Sequence, residues 1–216
     1  MTNVNLGVLT GREILAYIKK GSLSFSPPLD KFQMQPHAID LRLGFTFLVP
    51  RSWELTSEGR IALDITNAVN KSNFEVIELE HGQFFDILPD EYVIFTTLEA
   101  ITLPDDLMAI LYPRSSVNRK GLSVDLSGII DAGYQGQLIV PVRNNTKTQT
   151  IRVYPGERFC QLTLQKLASR VDVKQSRFHK KDVALTLGNQ SEDDVNEPEM
   201  VRKGMLKELK EKFAVY

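Results

Sequence analysis

Apolar and polar positions divide the chain into a short helix, a long series of strands and a charged tail. Thr10-Gly-Arg-Glu13 is a capping-box pattern in which Glu13 can return to the Thr10 backbone. Ile14, Leu15 and Ile18 follow at helical spacing. Lys19-Lys20-Gly21 closes the helix, because cations suit its carboxyl end and glycine takes the left-handed conformation. Pro27-Pro28 begins a loop, and from His37 the period changes to two. That pattern predicts strands over 38–43, 46–49, 74–79, 84–87, 92–97, 107–112, 122–125, 137–143, 150–153 and 159–165. Turn signals separate them, among them Glu80-His81-Gly82, Leu88-Pro89-Asp90, Leu103-Pro104-Asp105, Asn144-Asn145 and Pro155-Gly156. Short strands at this spacing predict a mainly β fold, a sandwich, jelly roll or barrel, with helices only at the ends.

The pattern breaks after Lys166, and residues 180–200 are rich in Lys, Asp, Glu, Asn and Ser, the composition of an arm or linker. Met200, Leu206, Leu209 and Phe213 then recur at helical spacing, which predicts an amphipathic helix over 201–213. It docks on its own domain, on the assembly, or on a partner protein. The division expected is a β domain over 1–175 and a C-terminal arm over 176–216.

Composition narrows the classes. A chain of 216 residues, 42% hydrophobic and 25% charged, suits one globular domain with a real core. A net charge of −1 argues against a nucleic-acid-coating protein, so any anion site must be a local cluster. Cys160 is the single cysteine and cannot form an internal disulfide, and three histidines leave no zinc-ligand spacing. The apolar runs are short and the N-terminus has no basic-then-apolar signal, so a soluble, cytoplasmic protein without membrane contact is expected.

Four segments carry candidate chemistry. Pro113-Arg114-Ser115-Ser116-Val117-Asn118-Arg119-Lys120-Gly121-Leu122 offers guanidinium forks, hydroxyls and, in a tight turn, a row of backbone N–H groups, all suited to phosphate. The same residues also suit an ordinary basic surface turn. Gly128-Ile129-Ile130-Asp131-Ala132-Gly133-Tyr134-Gln135-Gly136 sets one carboxylate in a hairpin beside a ring. Glycine on both arms lets a flat group approach the backbone. Tyr134 packs on a sugar or base, or it is a core tyrosine. Pro155-Gly156-Glu157-Arg158-Phe159-Cys160-Gln161 enters a strand, which sends Arg158 and Gln161 to opposite faces. In Pro36–Gly44, Asp40 and Arg42 alternate with apolar residues and form a buried ion pair at a subunit contact or serve catalysis.

In order and spacing these segments, across roughly residues 10–165, resemble the trimeric dUTPase and dCTP deaminase superfamily. The resemblance implies a distorted β-barrel or jelly roll, homotrimers with sites at subunit interfaces, and Mg²⁺ held through the substrate's phosphates and water. It implies phosphate contacts from Arg114, Ser115, Ser116, Arg119 and Gln161, with Gly128 in the substrate-binding hairpin. Tyr134 would pack on deoxyribose, and Asp131 would be the catalytic carboxylate that holds the sugar and the attacking water.

The two branches of the superfamily differ in chemistry. The N-terminal helix and Ala38-Ile-Asp-Leu-Arg-Leu-Gly44 look like the deaminase branch, whereas Tyr134-Gln-Gly-Gln-Leu138 followed by Asn144 looks like the dUTPase branch. Deaminases of the family carry a proton-shuttling glutamate ten residues after the motif aspartate, where this chain has Pro141, and an arginine just before it, where this chain has Ile129-Ile130. The reading expected from these departures is a diphosphatase acting on dUTP, and on dCTP as a second substrate, which releases the monophosphate and pyrophosphate. The alternatives are a dCTP deaminase, mono- or bifunctional, and a nucleotide-binding regulator without catalysis. Asp125 stands where dUTPases place an asparagine, and a carboxylate there accepts from the amino group of cytosine. Arg177 and Phe178, in the tail, would supply a phosphate contact and a ring over the base.

Overall fold

The computed structural model describes residues 7–63, 73–124, 128–172, 197 and 199–214. The period-two pattern folds there into strands β1 (Ser24–Ser26), β2 (Ile39–Pro50), β3 (Trp53–Thr56), β4 (Gly59–Ala62), β5 (Phe74–Glu78), β6 (Phe85–Ile87) and β7 (Tyr92–Thr102). They continue as β8 (Leu107–Pro113), β9 (Leu122–Val124), β10 (Ile129–Ile130), β11 (Gln135–Asn144), β12 (Ile151–Val153) and β13 (Arg158–Lys166). Helices α1 (Gly11–Lys19), α2 (Ser115–Arg119) and α3 (Leu206–Lys212) complete the described elements. Every strand pair is antiparallel. The fold is mainly β, and its main sheet runs β10-β8-β13-β2-β7-β11-β9, with β1 added to β7 and β5 to β2. Strands β6 and β12 form a second sheet, and β3 and β4 a third.

Three ladder irregularities bend the main sheet: between Leu43 and Phe47 in β2, Gln137 and Ile139 in β11, and Arg158 and Cys160 in β13. An extra residue on one strand bends it and increases its local twist. Gly44 sits at the first irregularity, where a Cβ would lie 2.5 Å from Thr96 Oγ1 and 2.8 Å from Thr96 O. Only glycine lets β2 approach β7 this closely. The curled sheet encloses one main apolar core, in which Phe47 stacks on Phe85 at 4.8 Å and meets Phe95 edge-on at 4.9 Å. Each such ring removed from water contributes roughly 1.5–3 kcal/mol.

At the N-terminus, the Thr10 N–H donates to Glu13 Oε2 at 2.8 Å, as the capping pattern requires. Ile14 is fully buried, but Leu15 is exposed, so the apolar face of α1 is narrower than its spacing implies. The strands predicted over 38–43 and 46–49 are one strand, β2, because Gly44 allows the chain to bend without breaking. The hairpin β3–β4 has no strong turn signal and is not foreseen in the sequence. The terminal helix predicted over 201–213 is interrupted at Gly204, whose φ is +75°. There the Gly204 N–H donates to Val201 O and the Met205 N–H to Met200 O, the pattern of a helix end, and α3 starts afresh beyond it with no buried residue. Among the described residues, no helix is long and apolar enough to cross a membrane.

Candidate functional site

Asp40 lies at the middle of the densest polar cluster. It sits on β2, in a stretch buried on both faces, and its side chain has no exposed surface. A buried carboxylate is costly unless it is paired and hydrogen-bonded. Four donors meet this one: Arg114 Nε at 3.2 Å, Arg158 Nη1 at 3.1 Å, Gln161 Nε2 at 2.9 Å and Gln35 Nε2 at 3.3 Å. Sheet register assembles them. Strand β13 lies between β2 and β8, so Gln161 stands opposite Asp40 on one side and Tyr112 on the other. Arg114 follows the end of β8, where its N–H donates to Phe159 O and its Nη1 to Arg158 O.

Two sequence expectations change here. Arg158 and Gln161 do not diverge, because the bulge between Arg158 and Cys160 inserts a residue and returns both side chains to the same carboxylate. Asp40 and Arg42 do not pair. The Arg42 guanidinium instead reaches Asp30 Oδ2 and Gly156 O, each at 2.6 Å, while its backbone N–H donates to Glu99 Oε2 at 3.0 Å. Burial pushes the Glu99 carboxyl above the ordinary glutamate range, against the hydrogen bonds it accepts from the Arg42 N–H and Gln33 Nε2. Cys160 is fully buried, and burial followed by the charges of Glu99 and Asp40 pushes its thiol up, which makes it a packing residue rather than a nucleophile.

The basic segment expected as a tight turn is the one-turn helix α2, anchored by buried Val117. Arg114 is its N-cap, and Ser115 and Ser116 occupy the first turn, where backbone N–H groups have no intrahelical partner. Ser115 and Arg119 are exposed, and Ser116 is half-buried. A cleft of about 260 Å³ lies beside α2. Its polar lining includes Arg114, Ser116, Lys120 and Arg158, and Leu43, Phe95 and Phe159 are part of its apolar lining. Asp40, Lys120 and Arg158 also belong to this cluster; the sequence places all three in the candidate segments but names none of them as a phosphate contact.

Asp131 is exposed on the turn between β10 and β11, with its carbonyl accepting the Tyr134 N–H at 3.2 Å. Gly133, at φ +77°, donates its N–H to Pro104 O. Gly128 takes φ +73°, and its carbonyl accepts the Leu111 N–H. The Tyr134 ring is packed against the core and its hydroxyl donates to Gln137 O at 2.6 Å. Burial pushes that hydroxyl up to about 12. Asp125, Arg177 and Phe178 lie outside the described residues.

The structure brings Arg114, Ser115, Ser116 and Gln161 to one end of β8 and Asp131 to the other. Ile130 pairs with Ala109, five residues before Arg114. At about 3.3 Å per strand residue this is a separation of about 17 Å along the strand. Within one chain, therefore, the carboxylate and the cationic cluster do not share a pocket.

A curled antiparallel sheet with these motifs at its two ends places the chain in the dUTPase and dCTP deaminase superfamily. Within it, residues 8–167 match the model of the dCTP deaminase-like family, and the chain belongs to that family. A relative from Dictyoglomus thermophilum, named dCTP deaminase, dUMP-forming, is 38% identical over 164 residues, 75% of this chain and 81% of its own length. A relative of the same name from Sulfurihydrogenibium sp. is 37% identical over 164 residues, covering 76% and 86% of the two chains. Among solved structures, the 2′-deoxycytidine 5′-triphosphate deaminase of Agrobacterium tumefaciens superposes with a TM-score of 0.57 at 24% identity, a likeness of fold. That match covers 74% of this chain and about half, 48%, of the other.

These relatives correct the expected main activity. Their names are those of dCTP deaminases that form dUMP, and dUTP hydrolysis is not supported as the main function. The expectation rested on Pro141 and Ile129-Ile130, which stand in the sequence as departures, and on Tyr134–Leu138 with Asn144, whose bonds in the structure are those of a scaffold. Asn144 is fully buried, with Nδ2 donating to Ile87 O and Gln149 O and Oδ1 accepting from Thr146, so it holds a loop rather than marking a chemistry. Tyr134 likewise has a packing role in this fold.

Proposed function

We propose that the protein acts on dCTP, replacing the C4 amino group of cytosine with oxygen and releasing ammonia. The observation that carries this reading is the 38% identity, across 81% of its length, to a relative named dCTP deaminase, dUMP-forming. The chain's own residues suit a triphosphate at one end and a deoxynucleoside at the other. Arg114, Ser115, Ser116, Arg119 and Gln161 hold phosphate oxygens, the guanidinium as a planar fork and the first turn of α2 through its N–H groups. Asp131 holds the sugar hydroxyl and orients water, beside Gly128 and Tyr134. Asp125 accepts from the amino group that distinguishes cytosine from uracil.

Because Asp131 and Arg114 stand apart on one chain, the site is completed by another subunit, and a homotrimer with sites between subunits is the assembly proposed. Mg²⁺ would arrive with the triphosphate, as the resemblance implies. It would neutralise phosphate charge, while the chain's cations and N–H groups fix the phosphate oxygens.

Water adds at C4 and the amine leaves as ammonia, so protons must move from water to the departing nitrogen. Pro141 carries none, so a carboxylate of the composite site must take that part. This departure favours a second reading, nucleotide binding without turnover. Pro141, on β11, pairs with Ile94 of β7 and leaves a half-buried aliphatic ring where the resemblance places a glutamate. Ammonia release from dCTP separates the two readings. Sustained release supports the first, and tight binding without release supports the second.

A further inference from the structure

We infer that Asp40 is the positioning residue of the phosphate end of the site: a buried carboxylate that aims Arg114 and Gln161 and leaves their remaining donors for the ligand. The inference rests on the reading of Arg114 and Gln161 as phosphate-binding residues.

Asp40 has no exposed side-chain surface, so it cannot itself meet a ligand. Its two oxygens divide the work. Oδ1 accepts from Gln161 Nε2 at 2.9 Å, and Oδ2 faces Arg114 Nε at 3.2 Å and Arg158 Nη1 at 3.1 Å. One carboxylate against two guanidinium groups leaves a net charge of +1 in the cluster. A guanidinium has five N–H donors. Arg114 directs Nε to Asp40 and Nη1 to Arg158 O, while Arg158 directs Nη1 to Asp40 and to Phe32 O. Both side chains line the cleft beside α2, together with Ser116, Lys120 and one carboxylate, Glu157. Long cationic side chains lose much rotamer freedom when a ligand fixes them. Asp40 fixes two of them in advance, which is where its effect on affinity arises.

The residue also explains the backbone. The bulge at Arg158–Cys160 would otherwise only weaken the β2–β13 ladder. With it, Arg158 and Gln161 converge on one buried anion, and the end of β13 becomes a cationic shelf at the entry to α2.

The test uses Asp40→Asn, which keeps the side-chain shape and removes the charge. Titration calorimetry with magnesium tripolyphosphate and with dCMP reads the two ends of the site separately, and thermal unfolding confirms a folded protein. The expected result is a loss of tripolyphosphate affinity of roughly tenfold or more, the scale of a charge-assisted hydrogen bond, with dCMP affinity changed less than about threefold. Unchanged tripolyphosphate affinity, or an equal loss for both ligands, overturns the inference.

Because Asp40→Asn leaves two half-buried cations facing a neutral amide, Asp40→Asn/Arg158→Met is the second variant. It restores the cluster's net charge to that of the native protein, and native-like tripolyphosphate affinity in it also overturns the inference. Arg114→Gln separates the two layers of reasoning. If it binds tripolyphosphate like the native protein, the reading of the phosphate end fails. If it loses binding while Asp40→Asn keeps it, only the positioning role fails.

Discussion

Replacing Asn144 with alanine should destabilise the protein by about 3 kcal/mol, at about 1–3 kcal/mol for each buried group left unpaired. Asn144 is fully buried at the end of β11, where its amide makes four hydrogen bonds: to Ile87 O at 3.0 Å, to Gln149 O at 2.8 Å, and from Thr146 N–H and Oγ1 at 2.9 and 2.8 Å. Alanine removes all four. Gln149 O keeps the Thr146 hydroxyl as a donor, while the Thr146 N–H loses its acceptor and the Ile87 carbonyl loses its amide donor. Asn144→Asp should be worse, because a carboxylate would face the Ile87 and Gln149 carbonyls where the amide now donates. The assay is urea unfolding followed by far-UV circular dichroism at one fixed protomer concentration, since assembly contributes to apparent stability. With m near 2 kcal/mol/M, the midpoint should fall by about 1.5 M. A change below about 0.5 kcal/mol, the scale of an ordinary surface substitution, would refute the structural role assigned to Asn144. The loop it holds reaches α2, because the Asn145 N–H donates to Gly121 O at 2.9 Å and Thr146 Cγ2 packs where a Cβ on Gly121 would sit. Nucleotide binding should therefore weaken along with stability.

Two further outcomes follow from the described geometry. The Tyr134 hydroxyl ionises near 12 in the folded protein, against about 10 when unfolded, so the folded state holds its proton longer and stability falls as pH rises above about 10. Tyr134→Phe should flatten that slope in unfolding measured between pH 9 and 11, and an identical slope would refute the burial argument. Mixing inactive Asp131→Asn and Arg114→Gln proteins, then allowing subunits to exchange, should restore part of the activity, because one subunit supplies the carboxylate and another the cation. Mixtures as inactive as the parents would place both residues in one subunit's site.

Much of the fold was legible because strand periodicity depends on burial of one face, and burial is written in the order of apolar residues. Phe95, Leu111, Val140 and Leu162 are all buried where alternation puts them. What was not legible depends on departures from that period. The bulge at Arg158–Cys160 moves two side chains to one carboxylate, and no alternation pattern announces it. Gly204 ends a helix that apolar spacing alone would carry through to Phe213. The phosphate segment was recognisable by its cations and hydroxyls, but its conformation as α2 was not, since Val117 is the single apolar anchor in five residues. Asp40 was noticed but paired with the wrong arginine. The two arginines that pair with it lie over 70 residues away in the chain and meet it only through the β2–β13–β8 register. The mistaken preference for dUTP hydrolysis has two sources: Pro141 and Ile129-Ile130 stand where the resemblance places a glutamate and an arginine, and Asn144 and Tyr134 look like markers of a chemistry although their bonds are those of a scaffold.

The central claim is that the chain binds dCTP and deaminates it in a site completed by a neighbouring subunit. The most direct measurement is ammonia released from dCTP in the presence of Mg²⁺, followed by an enzyme-coupled assay, with the nucleotide product separated in parallel. The account predicts ammonia and a uracil deoxynucleotide in equal amounts, and loss of both in Asp131→Asn. Binding of dCTP without any ammonia would contradict it.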